Sequence, residues 1–149
     1  MLKSVKVRDY MTRNLITVKP DSELFAAIQL LLSHHISGTP VVDDTGHLVG
    51  MLSEGDCLKG IIAGAYHEEV GGQVSAYMTR ELQVISPEAD IFHAAQLFTQ
   101  HRRRRLPVVE NDRLVGQISR CDVLRAVKEF AQHELKGAVV QAEEYTEFH

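Results

Sequence analysis

Tryptophan is absent from this 149-residue chain, aromatic residues make up 6% of it, and there are two cysteines and four prolines. No apolar run approaches the roughly 18 residues that a membrane-spanning helix needs. The opening stretch, MLKSVKVRDY, has no apolar segment of the kind that marks a secretory signal. Without such a signal, Cys57 and Cys121 read as free thiols in a reducing cytoplasm, not as a disulfide. The formal net charge of −4 and the shortage of aromatics for stacking on bases weigh against a nucleic-acid binder. No His/Cys set has zinc-ligand spacing, so no metal site is expected. There is no glycine-rich phosphate loop and no nucleophile–base arrangement, so no catalytic residues are assigned.

What is present is paired. Pro20 and Pro87 lie 67 residues apart, as do Pro40 and Pro107, and as do Met11 and Met78. Residues 8–20 read RDYMTRNLITVKP and residues 75–87 read SAYMTRELQVISP. A repeat of this period governs how every later motif is read. Val41-Val42 returns as Val108-Val109, and the stripe Leu24, Ala27, Ile28, Leu31 returns as Ile91, Ala94, Ala95, Phe98. After Asp43–Gly46 the offset falls to 66: Leu48-Val49-Gly50 matches Leu114-Val115-Gly116, Ser53 matches Ser119 and Asp56 matches Asp122. The deleted residue falls in a predicted turn, where length changes are tolerated. A chain of this size, 44% hydrophobic, can bury a sizeable core, whereas a half of about 60 residues would be marginal alone. One cooperative domain made of two packed halves is therefore expected.

Each copy reads as strand, helix, strand, strand, helix, a mixed α/β (α+β) pattern. A β-rich run at 15–18 ends at Pro20, and Asp21-Ser22 supplies N-cap side chains for a helix. Leu24, Ala27, Ile28, Leu31 and Leu32 recur at the spacing of one helical face. Ser37-Gly38 is read as its end, glycine favouring a left-handed terminus. Residues 40–52 form a hairpin, with Pro40 where no ladder donor is needed and Asp44-Thr45-Gly46 as the turn. Ser53 then opens a second helix carrying Leu58, Ile61 and Ile62. Residues 1–66 make the first repeat with its N-terminal segment, 67–73 a linker and 74–136 the second repeat. The acidic tail, 137–149, is expected to be frayed or partner-dependent.

These phrases, twice in the same order, resemble the CBS domain (named for cystathionine β-synthase) present as a tandem pair. The residues that carry the likeness are Tyr-Met-Thr, Gly38-Thr39-Pro40-Val41-Val42 and Leu48–Asp56, then Arg105–Val109 and Leu114–Asp122. The resemblance covers about residues 5–130. It implies a pseudo-twofold pair, two equivalent clefts between the copies, no catalysis, and regulation through AMP, ADP, ATP or S-adenosylmethionine. It also implies a homodimer, with the helical faces around 58–62 and 123–130 as the surface.

The Ser-x-x-Asp corners at Ser53/Asp56 and Ser119/Asp122 leave a strand and open a helix. A helix N-terminus offers unpaired N–H groups and a positive dipole end, and an ionised Asp can accept both hydroxyls of a ribose. The same spacing is also a capping box, which alone would explain both copies. The resemblance places adenine beside Thr17, Val18, Ser37, Gly38, Thr39 and Pro40 in one cleft. In the other it places adenine beside Val84, Ile85, Arg104, Arg105, Leu106 and Pro107. Arg102-Arg103-Arg104-Arg105 stands where the first copy has His35-Ile36-Ser37-Gly38. Arginine pairs bidentately with phosphate, so Arg104, Arg105 and Arg120 are candidate phosphate contacts. A solvated charge run is the alternative. Arg120 matches the acidic Glu54, so the two clefts are expected to differ in affinity. His34 and His101 match across the repeats as weak caps or phosphate donors. Two other functions stay open: a docking or dimerisation module with vestigial clefts, and nucleic-acid binding through the four arginines, the weakest of the three.

Overall fold

Apolar residues three and four apart make a helix with one buried face, and the described residues include four such helices. The computed structural model describes the backbone of residues 4–66 and 72–147, and side chains to residue 134 except 65 and 66. The first copy is α1 (Leu24–Ser33), β1 (Gly38–Val42), β2 (Leu48–Ser53) and α2 (Glu54–Tyr66). The second is α3 (Ile91–Gln100), β3 (Arg105–Glu110), β4 (Arg113–Ser119) and α4 (Arg120–Glu147). β1 pairs antiparallel with β2, and β3 with β4. Leu24, Ala27 and Leu31 face the first core, and Ile91, Ala94, Leu97 and Phe98 the second. Leu32, counted on the same stripe, is instead 69% exposed. Most of the proposed linker, residues 67–71, lies outside the described residues.

The leading strand of each copy shrinks to one parallel bridge, Val18 to Val41 and Ile85 to Val108. Val18 N–H donates to Pro40 O at 3.1 Å, and Ile85 N–H to Pro107 O at the same distance. Just before Val18 the chain departs from the ladder: the Ile16 carbonyl accepts from the Thr39 hydroxyl at 2.6 Å. The two hairpins meet at their turns, where Leu48 N–H donates to Asp112 O and Leu114 N–H to Gly46 O, both 3.2 Å.

The start of each copy packs in the other copy's core. Val7 lies among Ile91, Leu106 and Ile118, while Val74 and Met78 lie among Leu24, Val41 and Leu52. Thr12 bridges to Gln117 on β4, and Thr79 to Met51 on β2. Two glycines permit the approach. A Cβ on Gly50 would meet Met78 Sδ at 2.7 Å and Thr79 O at 3.1 Å. A Cβ on Gly116 would meet Met11 Sδ at 2.8 Å and Thr12 O at 2.9 Å. A thioether can swing aside, but a paired carbonyl resists. Gly116→Ala is therefore expected to destabilise the fold by about 1–3 kcal/mol, and Gly50→Ala by less, as read by urea melts. The crossing is also held to α4. The Tyr10 hydroxyl donates to Glu129, which with partial burial holds that phenol above its usual range. The Arg125 guanidinium lies 5.7 Å from the Tyr10 ring centre.

The same crossing explains the helix starts. Neither Asp21 nor Ser22 caps α1; its N-cap residue is Glu23, whose side chain makes no capping bond. Leu24 N–H donates instead to the carbonyl of Gly72, and Ile91 N–H to that of Val5. Where the copies cross, a foreign carbonyl does what a side chain was expected to do, although Asp90 also caps α3 through His93 N–H at 2.7 Å. The helix end differs as well: α1 stops at Ser33, His35 takes the left-handed conformation (φ 53°), and Gly38 begins β1. At the other terminus, helical backbone continues to Glu147 through most of the tail read as frayed. Residues 138–147 contain no proline or glycine and several good helix formers, so nothing local stops the helix.

Candidate functional site

Period-two alternation decides which strand residues face the space between the copies. On β1, Gly38 and Pro40 face it while Thr39 and Val41 turn to the core; on β3, Arg105 and Pro107 face it while Leu106 and Val108 do not. Two cavities result, each closed by the strand of one copy and the Ser-x-x-Asp corner of the other. The larger, about 280 Å³, is lined by Gly38, Pro40, Arg105, Gln117, Ser119 and Asp122, together with Thr12, Asn14, Leu15, Ile16 and Ile36. The smaller, about 140 Å³, is lined by Arg103, Arg105, Pro107, Ser53, Asp56 and Thr79, together with Gly38, Met51, Leu52, Leu82 and Gln83. Repeat positions correspond almost one for one, so the same site occurs twice.

Both corners are complete capping boxes. Ser53 N–H donates to Asp56 Oδ2 at 2.9 Å, and Asp56 N–H to Ser53 Oγ at 3.2 Å. Ser119 N–H donates to Asp122 Oδ2 at 2.8 Å, and Asp122 N–H to Ser119 Oγ at 3.1 Å. This geometry seats two charged groups, each 8% exposed, at the cleft wall. Each carboxylate keeps acceptor capacity beyond its cap. Among the described residues, Oδ1 of Asp56 meets only the Thr79 hydroxyl, at 3.5 Å. Oδ1 of Asp122 accepts from Arg125 Nη2 at 3.2 Å. The two acids thus sit in unlike surroundings.

Of the residues read from sequence, Gly38, Pro40, Ser53, Asp56, Arg105, Pro107, Ser119 and Asp122 line these cavities. Val18, Thr39, Ile85 and Leu106 are buried and line neither, because each points to the core side of its strand or bridge. Thr17 and Val84 also line neither; the chain reaches the clefts two residues earlier, through Leu15-Ile16 and Leu82-Gln83. Ser37 and Arg104 line a separate groove of about 540 Å³ between α1 and α2, with Leu32, Leu58 and Ile61. Arg120 folds back, its Nε donating to Arg103 O at 2.6 Å. Thr12 and Thr79 were visible as the repeated threonine of Tyr-Met-Thr, but nothing local said that each would cross to the other copy. Asn14 and Gln117 gave no sequence signal.

The two proposed dimer faces differ in exposure. Leu58, Ile61 and Ile62 are 60%, 52% and 69% exposed, whereas on α4 Val123 and Ala126 are core, Val127 and Phe130 half-buried and Leu124 67% exposed. Among the described residues no group of three His, Cys, Asp or Glu could hold a metal, and no helix is long and apolar enough to cross a membrane. Both thiols are free; Cys57 is buried and Cys121 exposed. Burial, then the charges of Asp56 and Glu54, hold the Cys57 thiol above its usual range. The thiolate is the reactive form, so a chromogenic disulfide at neutral pH should titrate one thiol fast, with the second released on unfolding.

The CBS-domain family profile matches residues 7–63 and 74–129. The chain belongs to the CBS-domain family, as a tandem pair. CBS domains are regulatory and not catalytic. The chain is 31% identical over 119 residues to uncharacterized protein MJ1225 of Methanocaldococcus jannaschii, covering 80% of this chain and 41% of that protein. It spans under half the length of the first curated relatives it matches. Among solved structures, the CBS pair is similar to CBSX2 in complex with AMP (TM-score 0.76, 32% identity, 85% of this chain and 98% of that one). CBSX2 is from Arabidopsis thaliana. This chain is also similar to the CBS pair of MJ0100 in complex with 5′-methylthioadenosine and S-adenosyl-L-methionine (TM-score 0.68, 25% identity, 81% of this chain and 98% of that one).

Proposed function

We propose that this CBS pair is a non-catalytic sensor that takes an adenosine-containing ligand, of the AMP or S-adenosylmethionine type, in one or both clefts. One observation carries the reading: each cleft is closed by the proline strand of one copy and the acidic helix corner of the other. A ligand seated there bridges both copies, and any difference in its affinity for two relative packings shifts the balance between them. Asp56 and Asp122 would accept the ribose hydroxyls, Arg105 would meet phosphate, and the apolar strand residues and backbone edges would flank the base. The complexes of CBSX2 and MJ0100 support this ligand class. A melting screen with AMP, ATP, S-adenosylmethionine and adenosine tests it. No stabilisation by any of them would favour the other reading, a docking module, which the capping boxes support by being complete without a ligand.

The exposed Leu58, Ile61, Ile62 and Leu124 suit a homodimer. Ile62→Glu combined with Leu124→Glu is expected to convert the dimer to monomer in sedimentation while leaving the circular dichroism spectrum intact. A chain that sediments as a monomer beforehand would dismiss the dimer. Two unpaired thiols suit a cytoplasmic setting.

A further inference from the structure

Gly38 and Arg105 are equivalent residues of the two copies, and both line both clefts. They stand beside the pseudo-twofold axis, each opening the first hairpin strand of its copy. A symmetric pair would bring two cations to this place, one per cleft. Here one copy offers a hydrogen atom and the other an arginine, which also lines the groove between α1 and α2. Among the described residues it is the one charged residue that lines both cavities. Arg105 is exposed and takes part in none of the ion pairs among the described residues. Arg103 lines only the Asp56 cleft, and its counterpart in the Asp122 cleft is the apolar Ile36.

We propose that Arg105 is shared by the two clefts and sets them against each other for phosphorylated ligands. This rests on the reading of both clefts as adenosyl sites. A guanidinium engaged bidentately by one phosphate has two of its five donors committed and its single charge balanced, so the second phosphate meets a cleft whose cation is already neutralised. The Asp122 cleft loses more, since no other arginine lines it. A ligand without phosphate makes no call on Arg105, so both clefts fill independently. The device makes the pair respond differently to nucleotides and to uncharged or cationic adenosyl compounds.

Calorimetric titration of the full chain with AMP and with adenosine tests this. Asp56→Ala and Asp122→Ala each leave one working cleft and give its association constant alone. For AMP, the wild-type constant for filling both clefts should fall short of the product of those two constants by about fivefold or more, the lower end of typical coupling between sites. For adenosine the two should agree. Arg105→Met, an exposed change, should bring AMP to the same independence and narrow the preference for AMP over adenosine most in the Asp122 cleft. Agreement of the constants for AMP in the wild-type protein overturns the sharing. So does a shortfall that persists in Arg105→Met, which would mark simple repulsion between phosphates. Failure of both AMP and adenosine to bind any of these proteins overturns the adenosyl reading and the coupling with it.

Discussion

Saturating AMP is expected to raise the melting temperature of the wild-type protein by about 5–10 °C and that of the Asp56→Ala/Asp122→Ala double variant not at all. The size is that of one filled cleft and so a lower bound if both fill: ligand at roughly 100 times its dissociation constant is worth about 2.7 kcal/mol per site, at about 2–4 °C per kcal/mol in a chain of this length. The single variants should each lose one of the two clefts in a stoichiometric titration. Two effects of the alanine must be kept apart, because both acids complete capping boxes. Losing a cap lowers the stability of the unliganded protein by about 0.5–2 kcal/mol, whatever the clefts hold. Asparagine separates the roles. Its carbonyl oxygen can still accept the serine N–H, but its amide offers one acceptor oxygen in place of two. Asp56→Asn and Asp122→Asn should therefore recover most of the cap and little of the ligand response. A double alanine variant that still responds to AMP would rule out the carboxylates as the ribose contact.

Leu52→Ala in the first core and Ile118→Ala in the second are each expected to cost about 2–5 kcal/mol and to lower one shared transition by roughly 4–20 °C. Both side chains are fully buried. The shared transition is the informative part. Val7 belongs to the second core and Val74 and Met78 to the first, so neither core is complete within its own copy. Opening one half withdraws a segment from the other. Hydrogen exchange should therefore show the slowest amides of β2 and β4 exchanging through the same global opening, and each substitution should speed both sets. Separate transitions, or acceleration confined to the substituted half, would mean that the crossing contributes little to cooperativity.

The doubled Ser-x-x-Asp corners were legible because capping chemistry is local: three residues, two hydrogen bonds and a helix start. Pro40 and Pro107 were expected to open their strands, but each stands third, after Gly38-Thr39 and Arg105-Leu106; each strand of a two-stranded ladder has an unpaired edge on which a missing donor is tolerated. The side chains of Thr39 and Leu106 turn to the core because a strand presents alternate residues to a cleft, whereas the phrase in sequence is contiguous. The Asp21-Ser22 cap failed for a different reason. A side-chain cap is the default at a helix start, but at α1 the backbone carbonyl of Gly72, just ahead of the second copy, takes the Leu24 N–H.

Determined by the sequence alone were the duplication, the order of elements, the buried stripes of α1 and α3 and the two acidic corners, all set by interactions within a few residues of each other. The exchange of leading segments was decided only by tertiary structure. So were the pairing of each corner with the opposite strand and the meeting of both clefts at Arg105. These join residues far apart in the chain, and their geometry exists only once both hydrophobic faces have found each other.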